Sequence, residues 1–275
     1  MKLSNKPSTK ITSEKLSQIV IKIDAQDRVI LGKVVNAINE NHEIKSLWKV
    51  MNVNAIDRLK MTDHGPTHFQ IVAVNALKIA RILEKKGIKF SIIRDFALTV
   101  DHAETVIFLA SIMHDLGMSI HREGHEGYSL FLANHLLYEI LSFLPVEEKM
   151  VVISEVLHAI ISHRKDGHPL TLEAGIVRIA DALDMSKGRS RIPYGRGIID
   201  IHSVSAHAIE SVEIAEGNSA RPVEIKIYMT NPAGIFQIDD LMQEKLKGSG
   251  VEKYIKVMAY LKNNLKFQLF KEFEF

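Results

Sequence analysis

SIMHDLGMSIHREGHEG, residues 111–127, decides how this chain reads. It opens as the apolar end of a helix, then sets His114 beside Asp115, and His121 and His125 follow. Gly117 marks a stop. An imidazole and a carboxylate at the end of a greasy segment need a reason, because burying either without a partner costs free energy.

Working outward, histidine is the compositional anomaly. The chain holds 13, and ten of them fall between His64 and His168. Histidine is the commonest metal ligand and the natural proton carrier near neutral pH, so a cluster confined to one region marks a site there. The rest of the composition excludes competing chemistries. There is no cysteine, which removes disulfides, thiolate metal sites and thiol nucleophiles together. The formal charge of +2 gives no global argument for nucleic-acid or membrane binding. No apolar run approaches the roughly 18 residues that span a bilayer, and the first residues carry no signal-peptide core. The expectation is a cytoplasmic chain.

Helical signals fill the first two-thirds. DRVILGKVVNAINENHEIKSLWKVM has helical periodicity with a break near Asn41. In DHGPTHFQIVAVNALKIARILEKKG, Pro66 suits a first helical position and Gly87 a C-terminal stop. Further helices are expected over about 101–116, 125–143 and 146–163. A last one, N-capped by Thr171, should reach about Ser186. After Tyr194 the character changes. In VEIKIYM, Val223, Ile225, Ile227 and Met229 alternate with other residues at the period of a half-buried strand. AEGNSARP reads as a hairpin loop, and helices are expected over about 236–247 and 250–264. The prediction is a mainly α chain: an all-α helical-bundle domain over 1–195, then a small α+β domain over 196–275 without an assigned role.

On these helices the suspicious residues converge. His68 lies in a first helical turn, on a face with Val72, Asn75 and Ile79. His114 and Asp115 end the next long helix, and His125 opens the one after. His163 closes another, on a face with Val152, Val156 and Ile160, and Asp181 shares a face with Ala174 and Val177. Bundles build metal sites from inward side chains of facing helices. Imidazole with carboxylate suits Mn, Fe, Co, Ni or Zn and does not suit calcium, while Mg is also admissible. A carboxylate such as Asp115 can bridge two ions, and a pair of ions can activate water against a phosphate ester.

The order His68, His114-Asp115, Asp181 resembles the HD-domain metal-dependent phosphohydrolase superfamily, named for its adjacent His-Asp pair. DHGPTHFQIV resembles that family's first-histidine segment, SIMHDLGM its His-Asp helix and AGIVRIADALDMS its last-aspartate helix. His125 and His163 resemble the extra ligands of two-metal members. HRKDGHP is loosely similar to the cyclic-dinucleotide phosphodiesterase branch, but Ser162 stands where that branch has a second histidine and its Gly-Tyr-Pro signature is absent. The resemblance covers about residues 60–190. It implies a first ion on His68, His114, Asp115 and Asp181, and a second on His125 and His163 with Asp115 shared.

Around this set stand secondary candidates. His64 and His121 are candidates for proton transfer to the leaving group. Arg122, Lys187, Arg189 and Arg191 are candidate phosphate contacts, since guanidinium presents a planar fork to phosphate oxygens. Asp184, three residues after Asp181, is placed to hold a ligand histidine from behind. The expected activity is metal-dependent hydrolysis of a nucleotide or another small phosphate ester. The alternatives are a di-iron oxygenase of the same fold and a metal-stabilised nucleotide sensor or interaction module. A small phosphorylated substrate and a homodimer complete the expectation.

Overall fold

The computed structural model describes residues 11–164, 166–185, 205, 207–239, 244–263 and 266–273. Nine helices precede the strands among these: α1 (Ser13–Ser17), α2 (Val29–Glu40), α3 (His42–Asn52), α4 (Pro66–Lys85), α5 (Ser91–Phe96), α6 (Val100–Met113), α7 (His125–Ile140), α8 (Val146–Ser162) and α9 (Leu172–Ala182). A π-helical turn, Val53–Arg58, follows α3, and a 3-10 turn, Leu116–Ser119, follows α6.

The organising element is α6. Every residue from His102 to Met113 is buried, as a helix apolar all round must be. Around it pack α2, α4, α8 and α9, so whatever its C-terminal end carries is delivered to the middle of the bundle. Its one buried acid, Glu104, is satisfied by Arg81 (2.8 Å) and Arg28 (3.2 Å). At the far end Trp48 Nε1 donates to the Ile112 carbonyl (3.1 Å), and the Asn54 amide donates to the carbonyls of Met118 and Ser119 (2.9 and 3.0 Å). These bonds satisfy carbonyls that a helix end leaves without partners.

The helix boundaries follow their expected chemistry. Pro66 occupies the first turn of α4, Gly87 follows it at φ 76°, and the Asn41 side chain accepts from Ile44 N–H to separate α2 from α3. Thr171 caps α9 through Ala174 N–H. The helix over 101–116 is shorter than expected, because the chain turns into the 3-10 segment at Leu116.

The C-terminal part is a four-stranded sheet in the order β1 (Ile209–Glu216), β2 (Val223–Met229), β3 (Ile255–Asn263), β4 (Lys266–Phe273). VEIKIYM is the strand expected, with Val223, Ile225, Ile227 and Met229 fully buried, and 217–222 is the hairpin loop joining β1 to antiparallel β2. The helix expected over 250–264 is corrected to a strand. Tyr254, Val257, Met258 and Leu261 have helical spacing, but Ile255, Val257 and Ala259 have the strand period and are fully buried, while Tyr254 and Leu261 are only partly so. A short apolar run satisfies both templates, and pairing of β3 with β2 on one side and β4 on the other decides it. Over 236–247 the described helical residues form short pieces, Ile235–Gln237 running into a π turn at 238–239, and Glu244–Leu246. β2 and β3 run parallel, which demands a crossover. Residues 230–254 are that crossover, and Glu244–Leu246 rests on α9. The boundary expected near residue 195 lies outside the described residues. The molecule is thus mainly α with a small α+β C-terminal part.

Candidate metal centre

His114 is the C-cap of α6 and His163 the C-cap of α8. At each of these positions the carbonyl three residues back is available to the imidazole. His114 Nδ1 donates to Ser111 O (2.9 Å) and His163 Nδ1 to Ile160 O (2.6 Å). His125, first residue of α7 after the left-handed Gly124, does the same to Arg122 O (2.9 Å). His68, in the first turn of α4, places Nδ1 against Asp184 Oδ2 (2.7 Å). In all four the bond fixes the neutral tautomer, with the proton on Nδ1 and the lone pair on Nε2, the arrangement that metal-binding imidazoles need.

Those four Nε2 atoms converge on Asp115 and Asp181. His68 Nε2 lies 3.3 Å from His114 Nε2 and 3.4 Å from Asp181 Oδ1. His114 Nε2 lies 3.7 Å from the same Asp181 oxygen and 3.5 Å from Asp115 Oδ2. The other oxygen, Asp115 Oδ1, lies 2.9 Å from His125 Nε2 and 3.6 Å from His163 Nε2. The carboxylate therefore turns one oxygen to each histidine pair. Ligands about 2.0–2.2 Å from a tetrahedral ion are separated by about 3.4 Å, close to the spacings seen. Two imidazole lone pairs facing each other at 3.3 Å also need a cation or a proton between them. The donor set therefore fits a divalent transition metal.

Burial sharpens the electrostatics. Asp115 is 5% exposed and His68, His114, His125 and His163 are all buried. Burial opposes protonation of His114, but the Asp115 and Asp181 carboxylates outweigh it and raise its pKa above 6.5. Burial also works against ionising Asp115, yet His114, His125 and His64 hold it well below the carboxylate range. Burial, with His114 beside it, pushes His163 down to about 3, so it stays neutral.

The other predicted residues divide. His64 is buried beside His68, ring centroids 5.7 Å apart, with Nδ1 on Thr62 O (2.8 Å). Arg122 stands beside the second pair, its guanidinium 3.4 Å from His125 Nδ1. His121 is exposed and accepts from Glu123 N–H (3.1 Å), away from the cluster. His158 accepts from Leu170 N–H and His102 belongs to the α6 cap, both structural roles. Lys187, Arg189 and Arg191 lie outside the described residues.

One residue had no sequence signal. Lys245, in the crossover, pairs with Asp181 Oδ2, opposing burial and drawing Asp181 well below the carboxylate range, assisted by His114 and His68. Nothing near it in sequence resembles a motif; only the fold brings it there.

A buried imidazole–carboxylate cluster at the centre of a helical bundle makes this a helical domain with residues placed to hold a metal ion. The HD domain profile matches residues 67–186. The chain is also 42% identical over 227 residues to the Uncharacterized protein MJ1020 of Methanocaldococcus jannaschii, covering 82% of this chain and 87% of that one. No solved structure gives a significant match. The chain belongs to the HD-domain family. Among the described residues, no helix is long and apolar enough to cross a membrane.

Proposed function

We propose that this protein is a metal-dependent phosphohydrolase acting on a nucleotide or another small phosphate ester, in which Asp115 and the histidines on either side of it would hold two ions. The observation that carries the reading is the division of Asp115, Oδ2 toward His68 and His114 and Oδ1 toward His125 and His163. Mn, Fe, Co, Ni and Zn fit this nitrogen-and-oxygen set. Bound there, such ions would supply an activated water and offset charge on the transferring phosphoryl group.

The chain's own residues do the rest. His68, His114 and Asp181 would hold one pole, and His125 and His163 the other. Asp184, bonded to His68 Nδ1, fixes the ring and raises its basicity as a ligand. His64 keeps its Nδ1 proton on Thr62 O, so proton exchange with a leaving oxygen would fall to Nε2. Arg122 stands at the second pole as an anion contact.

The test is hydrolysis across nucleoside triphosphates, monophosphates, cyclic nucleotides and dinucleotides, on protein loaded separately with each metal. Asp115→Ala should lose turnover and metal together. Retained activity with full metal content would remove the assignment. No hydrolysis by metal-loaded protein, with oxygen uptake on reduced iron, would favour the oxygenase that the same donors also fit.

A further inference from the structure

We propose that Lys245 is a substrate-binding residue, carried by the β2–β3 crossover to the Asp181 end of the cluster, where its ammonium takes an oxygen of a phosphate-type anion. The inference rests on the phosphohydrolase reading above and adds the C-terminal part of the chain to the site.

Asp181 divides its oxygens as Asp115 does. Oδ1 faces His68 and His114, while Oδ2 takes Lys245. The lysine therefore leaves the ligand-facing oxygen alone. An ammonium has three N–H bonds, and Asp181 is its one acceptor among the described residues. Two donors remain for an anion beside the first pole, and the side chain is 14% exposed, so the ammonium is neither sealed off nor loose in solvent. Arg122 stands at the other pole, against His125; among the described residues Lys245 is the cation paired with Asp181.

The backbone of Lys245 is held on both sides. The Arg178 guanidinium of α9 donates to the Glu244 carbonyl (3.1 Å) and to the Gly167 carbonyl. Leu246 is fully buried, and Gly175 of α9 lies so close to the crossover that a Cβ there would meet the Ser249 carbonyl at 2.2 Å. Thus α9 carries Asp181 and also seats the segment that carries its partner. A surface lysine needing only a counter-ion requires no such seat.

The experiment titrates inorganic phosphate into full-length, Mn-loaded protein by calorimetry, with metal content measured in parallel. Charge-assisted hydrogen bonds of this kind are worth about ten- to a hundredfold in affinity. Lys245→Met should weaken phosphate binding by that order with metal content unchanged. Lys245→Arg should recover most of it, and Lys245→Gln, kept as a polar second variant, should not. Wild-type phosphate affinity in Lys245→Met would overturn the proposal, leaving a counter-ion. Loss of bound metal in place of phosphate would overturn it too, by making Lys245 a support for Asp181. Phosphate binding reads this question independently of turnover: a wild type that binds phosphate through Lys245 but hydrolyses no ester would fail the hydrolase reading alone.

Discussion

At the scale of single residues, the site depends on hydrogen bonds made by atoms that would not touch the metal. Asp184 is the clearest case, since His68 has its orientation from Asp184 Oδ2 at 2.7 Å. Asp184→Asn removes the charge and should lower metal affinity about 10- to 100-fold while the helices persist. Competition against a chelating dye measures this, and an unchanged affinity would show the contact to be idle. His114 sets the pH dependence. Its pKa in the metal-free protein is raised, burial notwithstanding, by Asp115 and Asp181. A protonated imidazole cannot ligate, so metal affinity should rise with pH through that raised value and level off above it. His163, held down at about 3, carries no Nε2 proton to lose. Calorimetry of metal binding in buffers of different ionisation enthalpy should therefore find proton release at pH 6.5; none there would contradict the raised value. Folding of the metal-free protein runs the opposite way: His114 stabilises it below 6.5 and loses that contribution as pH rises through its raised folded value.

At the scale of elements, His114 and His163 fall at helix C-termini, where the last carbonyls are unused by the helix and take their Nδ1–H groups. The joint between α6 and α7 shows how little room this leaves. Gly117 N–H donates to Ser129 Oγ, whose single hydroxyl proton is shared between the carbonyls of His114 (2.7 Å) and His125 (2.8 Å). A Cβ on Gly117 would stand 2.0 Å from the His125 carbonyl oxygen and 2.7 Å from Ser129 N. Both are backbone, so α7 itself must shift. Gly117→Ala should cost about 1–3 kcal/mol by overpacking and displace His125 from Asp115. Thermal unfolding and metal content together read it. Gly127, on α7, has nothing within 4 Å of its would-be Cβ, and Gly127→Ala should be neutral or stabilising by up to about 1 kcal/mol. Equal effects at the two positions would refute the packing argument.

At the scale of the whole molecule, the cluster joins four helices through one carboxylate and a crossover through one lysine. A ligand that binds only the folded state stabilises it by about 2.7 kcal/mol at a hundred times its Kd. A divalent transition metal should therefore raise the Tm of the full chain by several degrees, about 2–4 °C per kcal/mol for a chain of this order. Asp115→Ala should abolish the shift. A Tm indifferent to metal would mean the poles are not filled in the folded protein.

What the sequence determined by itself is what local rules carry. Pro66, Asn41, Gly87 and Thr171 punctuate the helices by their own backbone chemistry, and the alternation of VEIKIYM marks β2. The spacing of His68, His114-Asp115, His125, His163 and Asp181 along successive helices made a candidate metal cluster legible, because residues of these types need a shared partner when buried. Tertiary structure alone decided three things. It assigned 255–263 to a strand, since Tyr254, Val257 and Met258 fit a helical period until neighbouring strands supplied hydrogen bonds. It set His121 apart in solvent while His125, four residues on, entered the cluster. It brought Lys245 across 64 positions to Asp181. Parallel pairing of β2 with β3 forces the chain to cross over, and where a crossover lands depends on the surfaces it meets, here α9, and not on the residues within it.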